Sequence, residues 1–298
     1  RRVSGRRRAE TARLPGLRLN TAMGTLTTVQ LREPYLVLVG DETDVTYAKT
    51  ASGLVHWRRE AVAGQLRFSD DAVDLGVADM SIEDAAREGV GSLVVGVAPV
   101  GGAVPDAWWR VMIQAATAGL DVVGGLHTRL ADNADLVAAA AAGGARLVDV
   151  RVPPQGLPVG TGRKRSGRRV LTVGTDCAVG KKYTALSLHA ALLAAGLRAT
   201  FRATGQTGIM IAGEGIPMDA VVADFVAGAA EALSPDNEPD HWDVIEGQGS
   251  LFHPAYSGVS LGLLHGSQPD AIVLCHDATR KRVAEWEDFE LPALEPPD

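Results

Sequence analysis

The segment with the clearest chemical meaning is GTDCAVGKK at residues 174–182. It follows an apolar stretch that predicts a β-strand and precedes an Ala- and Leu-rich stretch that predicts a helix over residues 181–195. The backbone N–H groups of such a loop and the positive end of the helix attract phosphates. We therefore predict a phosphate-binding loop in which the contributing residues are Gly174, Thr175, Asp176, Cys177, Val179, Gly180, Lys181 and Lys182.

The loop differs from the common nucleotide-binding P-loop in two ways. Five residues separate Gly174 from Gly180 instead of four, and Lys182 stands where a Ser or Thr would bind Mg²⁺. Nucleotide hydrolysis needs that hydroxyl, so the loop is expected to hold phosphates without triphosphatase chemistry. We predict no metal site in this chain.

A carboxylate near this loop suggests an alternative chemistry. Residues 244–250 read VIEGQGS, and together with the extended loop they resemble dethiobiotin synthetase, an ATP-dependent ligase. That resemblance implies that Glu246 lies at a strand end beside the phosphate loop, as a ligand for Mg²⁺ or as a base. A ligase or kinase that uses ATP and Mg²⁺ is therefore one hypothesis for the function.

A second resemblance covers nearly the whole chain. The segments that carry it, besides the loop, are residues 204–215, 219–225 and 246–254 in the second half and 48–51, 96–98, 101–102 and 125–130 in the first. Together they are similar to the D-glutamate N-acetyltransferase family. This resemblance implies a Rossmann-like N-terminal domain, a P-loop C-terminal domain, acetyl-CoA as the acyl donor and a role in D-glutamate catabolism.

Transfer of an acetyl group to an amine requires a base, polarisation of the thioester carbonyl and an anchored acyl donor. Coenzyme A carries a pyrophosphate and a 3′-phosphate, which the predicted loop could hold. The candidate bases are Glu246, His253 and His127, because each follows glycine-rich sequence near a predicted strand end. Each histidine could instead be a structural residue that is hydrogen-bonded to the backbone.

An acidic amino acid as substrate calls for cationic and polar contacts. Lysine is rare in this chain, with only five residues, and one of them is Lys49. Arg129 lies in the segment after a predicted strand, where its guanidinium could clamp a carboxylate. We predict that Lys49 and Arg129 bind the substrate together with Gln206 and Thr207.

The elements that position these residues alternate between apolar strands and helices, which is typical of α/β folds with parallel sheets. Strands are predicted at residues 35–40, 92–97, 121–125 and 146–150 in the first half, and at 169–173, 199–203, 242–245 and 271–275 in the second. We predict a disordered leader at residues 1–32, a Rossmann-like open sheet at 33–152, a linker at 153–168 and a P-loop NTPase-like domain at 169–298. The basic side chains near residues 163–169 are expected to be solvated. The architecture leads us to expect that the second domain is truncated at its C-terminus.

Composition excludes several functional classes. The chain has 298 residues, and residues 31–298 hold 22 basic and 35 acidic residues, a net charge of −13 that argues against nucleic-acid binding. Two cysteines are too few for a disulfide framework, and the longest apolar runs are too short for a membrane helix. We expect a soluble, cytoplasmic homo-oligomer that is an N-acetyltransferase. A non-catalytic regulator that binds a nucleotide or coenzyme A is a further alternative.

Overall fold

Two parallel β-sheets, one in each half of the chain, form the framework of the protein. The computed structural model describes residues 26–98, 103–284 and 286–291. The strands are β1 (Thr27–Thr28), β2 (Tyr35–Gly40), β3 (Val62–Arg67), β4 (Ser92–Val95), β5 (Asp121–Gly124), β6 (Leu147–Asp149), β7 (Arg168–Gly174), β8 (Ala199–Arg202), β9 (Glu214–Gly215), β10 (Trp242–Ile245), β11 (Ala271–Cys275), β12 (Arg282–Val283) and β13 (Trp286–Glu290). The helices are α1 (Lys49–Trp57), α2 (Ile82–Arg87), α3 (Asp106–Thr117), α4 (Ala134–Gly143), α5 (Lys181–Ala194), α6 (Gln206–Ala212), α7 (Val226–Leu233) and α8 (Ser257–Ser267). The predicted α/β class is confirmed.

The N-terminal sheet has five parallel strands in the order β3-β2-β4-β5-β6. Every residue of β2, β4 and β5 is buried because helices cover both faces of the sheet. Local signals set the ends of the helices. For example, the Asn133 side chain accepts the Leu136 N–H at 3.0 Å where α4 begins, and Gly144 ends that helix at a φ of +68°. The carboxyl ends of these strands carry the segments predicted to bind ligands.

The sequence analysis did not predict the edge strand β3. Its sequence, VAGQLR, is interrupted by Gly64 and Gln65 and therefore lacks the apolar run that marks its neighbours. Gln65 is nevertheless buried, because its amide donates to Asp74 Oδ1 at 2.8 Å and accepts the Leu75 N–H at 2.7 Å. These bonds satisfy the polar group that would otherwise oppose burial.

The C-terminal sheet has four parallel strands in the order β11-β7-β10-β8. β7 lies inside the sheet, and Val170, Leu171 and Val173 are buried there. Because β7 is flanked by β10 and β11, the loop that follows it meets the ends of both neighbours. This is the arrangement that positions a phosphate loop beside polar residues of adjacent strands.

A short antiparallel pairing joins the start of the described chain to the second domain. Thr27 pairs with Gly215 and Thr28 with Glu214, and the Val29 N–H donates to Gly213 O at 2.8 Å. Residues 26–32 are thus part of the fold, although the sequence places them in a disordered leader. Residues 1–25 of that leader lie outside the described residues. No helix in the described part of the chain is long and apolar enough to cross a membrane.

Two arginines near the predicted linker are buried, which corrects the expectation of a solvated basic cluster. Arg165 donates to Ser234 O at 2.8 Å, Gly266 O at 2.8 Å and Ser267 O at 3.0 Å. These carbonyls lie at the C-terminal ends of α7 and α8, where backbone oxygens have no partner within the helix. Arg169, which is 1% exposed, donates to Ser166 O at 2.8 Å. The two guanidinium groups therefore fasten helix ends to the sheet.

Replacing Arg165 with alanine is expected to lower the free energy of unfolding by about 3 kcal/mol, because buried helix carbonyls lose a charged donor. Urea denaturation followed by circular dichroism measures this. Arg163 is the matched control, because its ion pair with Asp236 is exposed at the surface and such pairs contribute little. Equal midpoints for the Arg165→Ala and Arg163→Ala variants would contradict the role of Arg165.

Candidate functional site

The phosphate loop begins where β7 ends at Gly174 and closes where α5 begins at Lys181. Two residues in it have a left-handed backbone, Ala178 at a φ of +54° and Gly180 at +96°. This turn leads the chain directly into the first turn of α5, whose N–H groups have no partner within the helix. The Lys181 Nζ lies within the loop and donates to Asp176 O at 2.8 Å. The loop therefore forms a cationic concavity of the kind that binds phosphate.

Two glycines bring the neighbouring backbone close to Lys181. A Cβ atom at Gly174 would lie 2.8 Å from the Lys181 Nζ, too close for a side chain. A Cβ atom at Gly247, just after β10, would overlap the carbonyl oxygen of Thr172. Burial lowers the pKa of Lys181, while the nearby Cys177, Cys275 and Asp176 raise it. A phosphate bound at the loop would supply the counter-charge that this buried lysine needs.

Asp176, predicted as a cofactor-binding residue, uses its carboxylate to hold the loop itself. It accepts the Cys177 N–H at 2.7 Å, the Arg280 Nη1 at 3.0 Å and the Ala284 N–H at 2.7 Å, and it is fully buried. The Thr175 hydroxyl is similarly engaged, with His276 Nδ1 at 3.0 Å. These two side chains stabilise the loop and connect it to the segment after β11. Ligand contacts of the loop would thus come from its N–H groups and from Lys181.

Glu246 lies at the carboxyl end of β10, beside the phosphate loop, as expected. Its Oε2 accepts the Thr204 N–H at 2.9 Å and the Gly205 N–H at 3.1 Å, and the residue is 2% exposed. Burial raises the pKa of Glu246, whereas these N–H groups and the charge of Lys182 oppose the increase. The two N–H groups hold the carboxylate in one orientation, and the positive charge of Lys182 acts on it.

The two domains meet next to this carboxylate. We define the domain junction as Lys49, Thr50 and Gly125 of the first domain with Lys182, Gln206 and Thr207 of the second. The Thr50 and Thr207 hydroxyls are 2.8 Å apart, and the Lys182 Nζ donates to Lys49 O at 3.1 Å. A Cβ atom at Gly125 would overlap the Gln206 side chain. Residues predicted separately from two halves of the sequence are thus brought together.

The other predicted residues of the first domain lie in the loop that starts at Gly125. His127 and Arg129 are both exposed there. Partial burial lowers the pKa of His127, and the positive charge of Arg151 lowers it further, so the imidazole is neutral near pH 7. Arg151 itself is paired with Asp219 at 2.8 Å. Both His127 and Arg129 are accessible to a ligand at this edge of the sheet.

His253, the third candidate base, is built into the protein interior. It is 1% exposed, its Nδ1 accepts the Ala255 N–H at 3.2 Å, and its Nε2 lies 3.3 Å from Ala284 O. Its ring also contacts those of Tyr256 and Trp286. With both ring nitrogens in hydrogen bonds, the histidine has no free lone pair for proton transfer. The geometry therefore favours the structural alternative for His253.

The sequence analysis did not identify some residues of the site. Thr204 donates its hydroxyl to Glu246 O at 2.7 Å and accepts from Gln248 Nε2 at 3.1 Å. Arg280, which donates to Asp176 and also to Cys177 O at 2.6 Å, holds the loop from the far side. Thr204 and Gln248 lie in segments that carry the family resemblance, so that signal could have found them. Arg280 has no such signal.

The residues around the loop do not fit a Mg²⁺–nucleotide site. Lys182 replaces the hydroxyl ligand, and its positive charge acts on Glu246, the carboxylate that would face the ion. Among the described residues, there is also no group of three or more His, Cys, Asp or Glu that could hold a metal ion.

Comparison with known proteins shows the family. A family model described as the Rossmann-like domain of a domain of unknown function, DUF1611, matches residues 64–153, and the model of its P-loop domain matches residues 158–296. A protein named D-glutamate N-acetyltransferase from Tritonibacter scottomollicae is 50% identical over 265 residues, which cover 89% of this chain and 80% of that protein. The chain belongs to the DUF1611 family.

A second relative and a solved structure agree with this assignment. A protein from Pseudoalteromonas sp., also named D-glutamate N-acetyltransferase, is 46% identical over 267 residues, 90% of this chain and 80% of that protein. The crystal structure of a DUF1611 family protein from Anabaena variabilis superposes with a TM-score of 0.79 at 37% identity, covering 88% of this chain and 79% of that one. The family resemblance and the two-domain architecture predicted from the sequence are confirmed.

Proposed function

We propose that this DUF1611 chain is an N-acetyltransferase that transfers the acetyl group of acetyl-CoA to the amino group of D-glutamate, as a step in D-glutamate catabolism. The observation that carries this proposal is the 46–50% identity, over about nine-tenths of the chain, to two proteins named D-glutamate N-acetyltransferase. The site supports it independently, because its phosphate loop has a lysine in place of the Mg²⁺-binding hydroxyl.

Acetyl-CoA would bind through its phosphates at the loop of residues 174–182. The N–H groups at the start of α5 would donate to the pyrophosphate, and Lys181 would exchange its bond to Asp176 O for one to phosphate oxygen. The anchored pantetheine arm would then carry the thioester toward the domain junction. This accounts for a phosphate loop in an enzyme that hydrolyses no nucleotide.

D-Glutamate would bind from the side of the first domain. Lys49 is exposed at the N-terminal end of α1, where the helix dipole adds positive potential for a carboxylate. Arg129, exposed in the loop that begins at Gly125, would supply a second cation, and Gln206 and Thr207 would contact the substrate from the second domain. Two cations suit a substrate that has two carboxylates.

The test is to incubate the full chain with D-glutamate and either acetyl-CoA or MgATP, and to follow free thiol and ADP. We expect thiol release that requires D-glutamate, is slower with L-glutamate, and persists when EDTA is added. Formation of ADP that requires Mg²⁺ would instead support a ligase or kinase. If neither product formed, a non-catalytic binding protein would be the better explanation.

A further inference from the structure

The second lysine of the loop lies in a different place from the first. Lys182 belongs to the first turn of α5, yet its side chain reaches the first domain, where Nζ donates to Lys49 O at 3.1 Å. An added Cβ at Gly53 of α1 would lie 2.8 Å from this Nζ and also 2.8 Å from Thr207 Cγ2. The Lys182 amine therefore occupies the domain junction, between α1 and α6, while Lys181 remains in the loop.

The hydrogen bond that holds the Lys182 side chain in position leaves its neutral amine able to accept a proton. A lysine amine that donates one N–H to a carbonyl oxygen keeps its lone pair when it is neutral. Lys182 is partly buried, and Lys49, whose carbonyl oxygen accepts this bond, is exposed at the edge of the junction. The ring of Tyr183 lies 5.0 Å from Nζ and covers another side.

The charges around Lys182 set its protonation. Burial lowers the pKa of Lys182 to about 8, the negative charge of Glu246 opposes this, and the positive charge of Lys49 lowers it further. Tyr183, on its own helix, is uncharged near neutral pH because burial raises its pKa. A part of the Lys182 population is therefore neutral near physiological pH, as a proton acceptor requires.

Two of the other candidate bases, Glu246 and His253, are only 2% and 1% exposed and lack this access. The Glu246 Oε2 already accepts two backbone N–H groups, and both nitrogens of His253 are engaged. His127 is exposed in the loop that begins at Gly125, and the charged groups that act on it are Arg151 and Asp219. We propose that Lys182 is the catalytic residue that accepts the proton of the substrate ammonium group, with Glu246 as the positioning carboxylate opposite it. This assignment rests on the proposed function.

Acetyl transfer begins with a proton transfer to Lys182. The lone pair of neutral Lys182 takes a proton from the substrate R–NH₃⁺, giving R–NH₂ and protonated Lys182. The freed amine attacks the thioester carbonyl carbon of acetyl-CoA, the C–N bond forms, and the C–S bond breaks. The thiolate of coenzyme A takes the proton held by Lys182, which returns to its neutral form, and the proton lost from the new amide nitrogen is released to solvent. No oxidant, reductant or metal is needed.

The experiment compares full-length wild type with Lys182→Met and Lys182→Arg between pH 6 and 10, using D-glutamate and acetyl-CoA with a thiol readout. We expect the wild-type kcat to rise with an apparent pKa near 8. Both variants should lose 100-fold or more in kcat, since general-base catalysis contributes about 10²–10⁴-fold. The Kd of acetyl-CoA, from calorimetry, should change less than about threefold, because Lys182 points away from the loop. Lys164→Met is the control, at an exposed ion pair with Asp270.

Arginine separates the proton-transfer role from a merely electrostatic one, because it keeps the charge but does not release a proton in this pH range. Restoration of a Lys182→Ala variant by added methylamine would support the assignment. Wild-type kcat in Lys182→Arg, or an unchanged pH profile in Lys182→Met, would overturn it while leaving the N-acetyltransferase function intact. If wild type itself released no thiol with D-glutamate, the proposed function would fail, and this assignment with it.

Discussion

Replacing Lys181 with alanine is expected to weaken acetyl-CoA binding about 100-fold or more. The Lys181 side chain is buried in the loop, where its Nζ has Asp176 O at 2.8 Å as a bond that a phosphate oxygen can replace. Loss of a charged hydrogen bond to phosphate in such a site removes about 2–3 kcal/mol of binding free energy. Isothermal titration calorimetry with acetyl-CoA measures the effect directly.

A matched lysine tests whether this effect is local. Lys164 is exposed and its Nζ lies 3.5 Å from Asp270 at the surface, so Lys164→Ala should leave the Kd for acetyl-CoA unchanged. Both proteins should show the same circular dichroism spectrum. If Lys181→Ala bound acetyl-CoA as tightly as wild type, the loop would not be the phosphate site, and the placement of coenzyme A would have to be abandoned.

The Gly247→Ala substitution is expected to destabilise the protein strongly. The new Cβ would overlap the Thr172 carbonyl oxygen, which belongs to the β7 backbone and cannot rotate away as a side chain can. In addition, the Gly247 N–H donates to Thr172 Oγ1 at 2.9 Å, so a shift would also break this bond. We expect the free energy of unfolding to fall by about 4 kcal/mol or more.

Gly258→Ala is the control for this change. Gly258 lies in α8 with no atom within 4 Å of an added Cβ, so alanine should leave stability unchanged or raise it by about 0.5–1 kcal/mol through helix propensity. Denaturant titration of both variants measures the contrast. A Gly247→Ala protein as stable as Gly258→Ala would mean that β7 and β10 can separate more easily than their pairing implies.

The sequence predicted the fold where local pattern and burial agree. The strand Tyr35–Gly40 is apolar and buried along its whole length, so its composition revealed it. The strand Val62–Arg67 was not predicted, because it contains the polar residue Gln65. The side-chain amide of Gln65 donates a hydrogen bond to Asp74, nine residues away, and no local sequence pattern shows this bond. The burial of Arg165 was not predicted either, because its hydrogen-bond acceptors lie at the ends of two helices that are distant in sequence.

For the functional site, too, some features could be predicted from the sequence and others could not. The phosphate loop and Glu246 were predicted because motif and strand position specify them together. The sequence did not show that Asp176 would be saturated by Arg280 and Ala284, over one hundred residues further along the chain. It also did not show that Lys182 would turn toward Lys49, because the direction of a side chain depends on how the domains pack.

The contact between Gly125 and Gln206 has an evolutionary consequence. Each residue belongs to a domain with its own sheet, yet the space for a side chain at one position is filled by the other. A larger residue at position 125 would therefore be tolerated only alongside a smaller one at position 206. Among relatives that keep this arrangement, the two positions should covary, and the domains should be inherited as a matched pair rather than exchanged independently.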